Sequence, residues 1–355
     1  MTAIPLGLPI VPAATGRPVA SDRPDTPALL DRFGRVATDL RVSLTDRCNL
    51  RCDYCMPAEG LDWLPKDTVL TAEEIIRLVR IAVVELGVDE VRFTGGEPLL
   101  RRDLEAIVGA VGALRPRPQI SVTTNGIGFA ARADALRRAG LDRVNVSLDT
   151  LRADTFRRLA RRDRLDDVLA GLTAAHAAGF HPVKVNAVLM RGRNDGEAAE
   201  LLRFCIEHSY ELRFIEQMPL DAQHGWDRAE MVTAGEILSM LRAEFRLDPD
   251  PAERGAAPAE RWVVDSGPAT VGVIASVTRP FCSACDRTRL TADGQIRSCL
   301  FATTETDLRT PMRAGATDDE LATAWRDAMW RKAAGHGINS EGFAQPARPM
   351  SAIGG

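Results

Sequence analysis

Residues 40–55 read LRVSLTDRCNLRCDYC. The first six, Leu40 to Thr45, have the length and composition of a buried strand. The rest turns polar and sets Cys48, Cys52 and Cys55 in a CxxxCxxC spacing. Three thiols this close can grip one metal centre from a single loop, as soft ligands suited to iron–sulfur clusters or zinc. No fourth Cys or His follows nearby, whereas a structural zinc site takes four protein ligands. A 4Fe-4S cluster held by three thiolates leaves one iron open to a cofactor or substrate. A zinc knuckle, or cysteines that merely fill a core, is the plainer reading of the same residues.

Five further runs look like the first: EVRFTG (90–95), QISVTT (119–124), RVNVSL (143–148), PVKVNAVL (182–189) and ELRFIE (211–216). Helical patterns separate them. Thr71 with Glu74 predicts a capping box, and Ile75, Leu78, Val79, Ala82, Val83 and Leu86 follow as one apolar stripe that Gly87 ends. Leu104, Ile107, Val108, Val111 and Leu114 repeat the pattern, as do Leu165, Val168, Leu169, Leu172 and Ala175 before Gly179. Six strand–helix units in alternation imply a parallel α/β sheet. Periodicity alone leaves a doubly wound sheet and a curved barrel equally open. After about Pro249 the alternation fails, and PDPAERGAAPAE (249–260) reads as a loop or boundary, followed by a helix near 318–333.

The chain has 355 residues, 45% hydrophobic and 26% charged, with a formal net charge of −4. That is an ordinary globular composition with no global sign of a nucleic-acid partner. Residues 1–31 are rich in Pro, Ala and Asp and read as a flexible extension. No uncharged apolar run approaches the roughly 18 residues that span a bilayer, and prolines interrupt the N-terminus, so no membrane role or signal peptide is expected. A cytoplasmic location follows, where disulfides are rare. Seven cysteines then need another explanation.

Six of them fall into two groups. Cys282, Cys285 and Cys299 form a CxxC followed fourteen residues later by a third Cys. This is one and a half zinc-ribbon pairs. His336 is the residue that could complete a zinc set; a second open cluster is the alternative. Arg287 and Arg289 flank Thr288 directly after the CxxC, and guanidinium groups fork onto phosphate oxygens. An exposed arginine is most often only a solvated surface charge, so Arg297 is left unassigned. Cys205 reads as plain core.

The motifs now carry a resemblance. CxxxCxxC with an aromatic before the last Cys, together with TGGEP (94–98) after the second strand, resembles the radical SAM (S-adenosylmethionine) superfamily. Adding TTNG (123–126), NVSLDT (145–150), KVNAVLM (184–190), FIEQMP (214–219), CSACDRTRL (282–290) and a terminal Gly-Gly, residues 39–355 resemble the molybdenum cofactor biosynthesis protein A family, the GTP 3′,8-cyclases.

The resemblance implies an incomplete (β/α)6 TIM-like barrel over residues 32–252. Residues 253–355 would carry the second Fe–S cluster, bind GTP and close the barrel opening. It implies a lyase that converts GTP to (8S)-3′,8-cyclo-7,8-dihydroguanosine 5′-triphosphate, the first step of molybdopterin and molybdenum cofactor biosynthesis. Two 4Fe-4S clusters and SAM would be the cofactors. Cys48, Cys52 and Cys55 would hold the first cluster, and Cys282, Cys285 and Cys299 the second. Tyr54, Gly96, Ser147 and Met218 would contact SAM. Arg41, Arg92, Thr123, Lys184, Arg287, Thr288 and Arg289 would contact GTP. Arg289, Gly354 and Gly355 would join the cysteines in catalysis. The implied partners are GTP, a small electron-transfer reductant and, downstream, cyclic pyranopterin monophosphate synthase; a homodimer is allowed.

Plainer roles exist for several of these. Thr123 and Ser147 could satisfy strand-end backbone, and Met218 could be core filler. Lys184, Arg41 and Arg92 interrupt strand runs, where an unpaired charge is costly, so each calls for an anionic partner. Two rivals stand beside the cyclase: another auxiliary-cluster radical SAM enzyme, such as a peptide-modifying maturase, and a non-enzymatic metal-binding scaffold.

Overall fold

The computed structural model describes residues 22–354; residues 1–21 and Gly355 lie outside the described residues. Strands β1 (Asp39–Ser43), β2 (Glu90–Thr94), β3 (Gln119–Thr124), β4 (Arg143–Ser147), β5 (Lys184–Val188) and β6 (Glu211–Ile215) fall on the six expected runs, β1 starting one residue ahead of its run. They pair in parallel in chain order. A doubly wound sheet reverses its strand order part-way. This one does not, and right-handed crossovers that all advance the same way put the connecting helices on one face.

Those helices are α1 (Ala72–Arg80), which continues into a π-helical turn over Ile81–Glu85, α2 (Leu104–Gly112), α3 (Ala133–Ala139), α4 (Ala153–Ala160), α5 (Leu165–Ala177) and α6 (Ala198–Glu207). The expected capping box is present. The Thr71 hydroxyl accepts from the Glu74 backbone N–H at 3.2 Å, and the Glu74 carboxylate accepts from that of Thr71 at 2.9 Å.

Each strand alternates. Leu40 and Val42, Val91 and Phe93, Ile120 and Val122, Val144 and Val146, Val185 and Ala187, and Leu212 and Phe214 point one way into the core beneath the helices. Burying each large apolar side chain is worth roughly 1.5–3 kcal/mol, which fixes the register of every strand. The opposite face carries Arg41, Arg92, Thr123, Ser147, Asn186 and Arg213, which line a cavity.

The segment after α7 (Ala234–Arg242) does more than follow the sheet. β7 (Leu247–Pro249) and β8 (Glu260–Val264) form a hairpin, and β9 (Thr270–Ile274) pairs parallel to β6. β10 (Arg287–Leu290) pairs parallel to β1 at the far edge, and β11 (Gln295–Arg297) and β12 (Thr306–Asp307) extend it. Eight parallel strands thus run β10-β1-β2-β3-β4-β5-β6-β9, two more than the sequence predicts. The Pro- and Ala-rich stretch 249–260 is the turn of a hairpin in this sheet.

Helices α8 (Arg309–Arg313), α9 (Asp318–Trp330) and α10 (Met350–Ile353) complete the chain. Trp325 of α9 is fully buried, and its indole N–H donates to the Thr288 hydroxyl at 2.9 Å. Part of the expected flexible extension packs as well: Leu29 is fully buried, and Arg23 pairs with Asp327 of α9 at 3.0 Å. The packed body therefore starts before residue 32. Residues 1–21 of that expectation lie outside the described residues. Among the described residues no helix is long and apolar enough to cross a membrane.

Candidate functional site

The loop after β1 holds Cys48, Cys52 and Cys55, all free thiols. Backbone N–H groups of Arg51 and Asp53 donate to the carbonyls of Ala160 and Leu159 at the end of α4, both at 3.0 Å. On its other side the loop meets Gly95 and Gly96. Gly96 N–H donates to the Thr45 carbonyl at 2.7 Å and Glu97 N–H to that of Arg47 at 2.8 Å. A Cβ on Gly96 would strike the carbonyl oxygens of Asp46 and Arg47. The glycine pair is thus needed to bring two strand-end loops together.

Glu97, fully buried, ties in a third loop. It accepts from the Thr124 hydroxyl at 2.7 Å, Asn125 N–H at 2.7 Å and Leu99 N–H at 2.9 Å. Asn125 in turn donates to Asn49 at 2.7 Å and lies 3.8 Å from the Cys48 sulfur. Burial pushes Glu97 up to about 7 despite these donors. Tyr54 donates to Asp149 at 2.7 Å, and burial raises Asp149 to about 6. Burial also pushes the Cys48 thiol up to about 11 and Cys55 to about 12. As bare thiols they stay protonated; a metal centre is what would make them thiolates.

Cys48, Cys52, Cys55, Gly96, Asn125, Ser147 and Asp149 surround a cavity of about 170 Å³. It shares Tyr54, Cys55, Thr123, Ser147, Asp149 and Met350 with a neighbouring cavity of about 290 Å³. Cys282, Cys285 and Cys299 line that second cavity together with Cys55. Cys282 and Cys285 bracket a single 3-10 turn (Cys282–Ala284), and Cys299 follows β11. The two cysteine groups therefore face one connected hollow.

Five guanidinium groups reach into it: Arg41, Arg92, Arg213, Arg287 and Arg289. Within 4 Å they meet two carboxylates, Asp39 and Asp286; Glu211 acts on Arg213 and Glu90 on Arg41 from farther off, and Asp149 and Glu216 line the same cavity. Arg41 pairs with Asp39 at 2.9 Å; burial opposes ionisation of Asp39, but Arg41 and Arg92 hold it well below the usual carboxylate range. Arg92 Nε has no partner among the described residues. Burial and the other guanidiniums lower Arg92, bring Arg213 down to about 10 and Arg289 to about 9. Buried cations in excess of anions call for an anionic guest.

Full-length relatives share this layout of sequence. The chain is 64% identical over 355 residues, covering 100% of both chains, to the GTP 3′,8-cyclase of Mycobacterium sp. (strain KMS). It is 67% identical over 337 residues, 95% of this chain and 99% of the relative, to that of Streptomyces coelicolor. The chain belongs to the GTP 3′,8-cyclase family.

Two family models divide this cyclase-family chain. The Radical SAM superfamily matches residues 42–205, and Molybdenum Cofactor Synthesis C matches 210–338. Their junction lies ahead of β6, so the second model takes in β6 with β9 and β10. Among solved structures, Streptococcus suis SuiB bound to S-adenosylmethionine superposes with a TM-score of 0.56 at 16% identity, covering 76% of this chain and 63% of that one. This is a likeness of fold. As a radical SAM family member the chain is built for a 4Fe-4S cluster and SAM.

Residue by residue, Tyr54, Thr123, Ser147, Met218, Arg41, Arg92, Arg287 and Arg289 line the larger cavity, and Gly96 lines the smaller. Lys184 and Thr288 line neither. Lys184 Nζ lies 3.4 Å from Glu211, so its anionic partner is a neighbouring strand. Thr288 faces the other side of β10, toward Trp325. His336 is no free ligand: its Nε2 lies 3.0 Å from the Ser276 carbonyl and its Nδ1 accepts from Ile338 N–H at 3.1 Å. Arg297 is buried, not a surface charge, and pairs with Glu305 at 2.5 Å. Cys205 is core, as expected. The Gly354 carbonyl accepts from Arg289, which sets Gly354 against that guanidinium. Gly355 lies outside the described residues.

The sequence reading missed Arg213. It donates to Asn186 at 3.0 Å and Asn145 at 2.7 Å. Its signal was present: LRV, VRF and LRF each place an arginine between two apolar residues of a strand.

Proposed function

We propose that this chain cyclises GTP to (8S)-3′,8-cyclo-7,8-dihydroguanosine 5′-triphosphate, for molybdopterin and molybdenum cofactor biosynthesis, with one 4Fe-4S cluster at each cysteine group. The carrying observation is that both three-thiol groups and five guanidiniums open on one hollow. Both groups fit a cluster better than a single ion. Each offers three free thiols, and His336, the residue that could make the second group a four-ligand zinc set, is engaged by the Ser276 carbonyl and Ile338 N–H, which suits a cluster with one open iron. The unreversed sheet with one-sided helices is read as an incomplete barrel, with the C-terminal segment completing its rim.

Cys48, Cys52 and Cys55 would hold the first cluster, which with SAM bound would supply radical chemistry for hydrogen abstraction. Everything else falls to the protein. Tyr54, Gly96, Ser147 and Met218 border the space SAM would take, and the Glu97 and Asn125 contacts hold the Cys48 loop against it. Arg41, Arg92, Arg213, Arg287 and Arg289 would bind the triphosphate, and Thr123 stands where the two cavities join. Fixing a tetravalent anion at several points immobilises the ribose and guanine, and such positioning is worth orders of magnitude in rate. Arg289 holds the Gly354 carbonyl, so tail and substrate share one cation. Lys184 acts at one remove, through Glu211 and the strand beside Arg213. The partners proposed are a small one-electron reductant and the synthase that consumes the product.

The test is anaerobic turnover of reconstituted protein with GTP, SAM and dithionite. The expected result is 5′-deoxyadenosine together with a cyclised nucleotide. Stoichiometric zinc in place of iron, or deoxyadenosine with no nucleotide product, would overturn the reading.

A further inference from the structure

Lys332 follows α9 at its C-terminal end and is 4% exposed. A buried ammonium without a carboxylate beside it is costly. Among the described residues Lys332 has none. Its Nζ instead donates to the Arg287 carbonyl at 2.9 Å and the Cys285 carbonyl at 3.2 Å, and lies 3.4 Å from the Cys285 sulfur. Among the second cysteine group this is the sulfur that meets a buried cation directly; Arg35 reaches only the Cys282 carbonyl, at 2.6 Å.

We infer that Lys332 donates a hydrogen bond to the Cys285 sulfur and thereby raises the reduction potential of the second cluster. The inference rests on the proposed function for the existence of that cluster. Reduction adds negative charge to an iron–sulfur centre, and hydrogen bonds to its sulfurs, nearby charge and solvent exposure set its potential. An ammonium in hydrogen-bond contact favours the reduced state over the oxidised one. The mechanism above assigns Lys332 nothing else, and its position fixes it as a positioning residue that acts through Cys285.

The test uses full-length protein carrying C48A/C52A/C55A, so that any cluster signal comes from the second site. Iron and sulfide are counted, and the midpoint is read by EPR during anaerobic dithionite titration. In that parent, absence of a cluster defeats the proposed second cluster, and this inference with it. Lys332→Met, which removes charge and donor, should shift the redox equilibrium at least tenfold toward the oxidised form, a fall of 59 mV for one electron. Lys332→Gln, which keeps an N–H donor, should shift it less. Unchanged midpoints, or loss of cluster iron from both variants, would overturn the inference; where only one retains iron, that variant decides.

Discussion

Arg213 hangs from the Asn145 and Asn186 side chains with its guanidinium open to the hollow. A hydrogen bond to a charged group is worth about 1.5–3 kcal/mol. Arg213→Gln should therefore weaken GTP binding by roughly ten- to hundredfold in equilibrium dialysis, with iron content unchanged. Gly96→Ala should act differently. Its new methyl would push against the Asp46 and Arg47 carbonyls, costing about 1–3 kcal/mol, and should lower iron at the first site. Glu97 supplies a pH signature. Its carboxyl moves from 4.5 to about 7 on folding, so between those values the folded chain holds a proton that the unfolded chain has lost. Stability from this group falls as pH rises through that window, by about 3 kcal/mol in all. Glu97→Gln should flatten this part of a urea-stability profile against pH. The cysteines and Arg287 were legible because their spacing is local. Glu97 was not: what defines it is contact with a loop 27 residues onward.

At the level of elements, the six strands and their helices were legible because burial writes a period into sequence. The same runs carry a second message, a polar residue at every other position on the inner face, and that alternation marks the Arg41, Arg92 and Arg213 set. β9 and β10 escaped because they lie beyond the strand–helix alternation and pair with strands distant in sequence; RTRL is also one residue shorter than most of the strands that were found. Two capping boxes were overlooked: Thr233 with Glu236 follows the last of the six strand runs, and Thr317 with Glu320 lies beyond Pro249, where the alternation has failed. Thr317→Ala should cost about 1 kcal/mol, measurable as a lower urea midpoint. Because α9 carries Trp325 to Thr288, that loss should be felt at β10 in hydrogen exchange.

For the molecule as a whole, two separate loops close on one space. Replacing Cys48, Cys52 and Cys55 should abolish deoxyadenosine formation and remove the first cluster's iron. Replacing Cys282, Cys285 and Cys299 should leave SAM cleavage in place while cyclised product disappears. A pair of substitution sets that gave identical losses would contradict the division of labour. The sheet adds one more consequence. Its first and last parallel strands, β10 and β9, both come from the final third of the chain. A nascent polypeptide emerging from the ribosome through β6 would have two raw hydrogen-bonding borders at once, each a template for aggregation. Such a chain must be kept from its neighbours until synthesis is nearly over. Premature stop codons after residue 249 should accordingly yield inclusion bodies, whereas the 355-residue chain should stay dispersed.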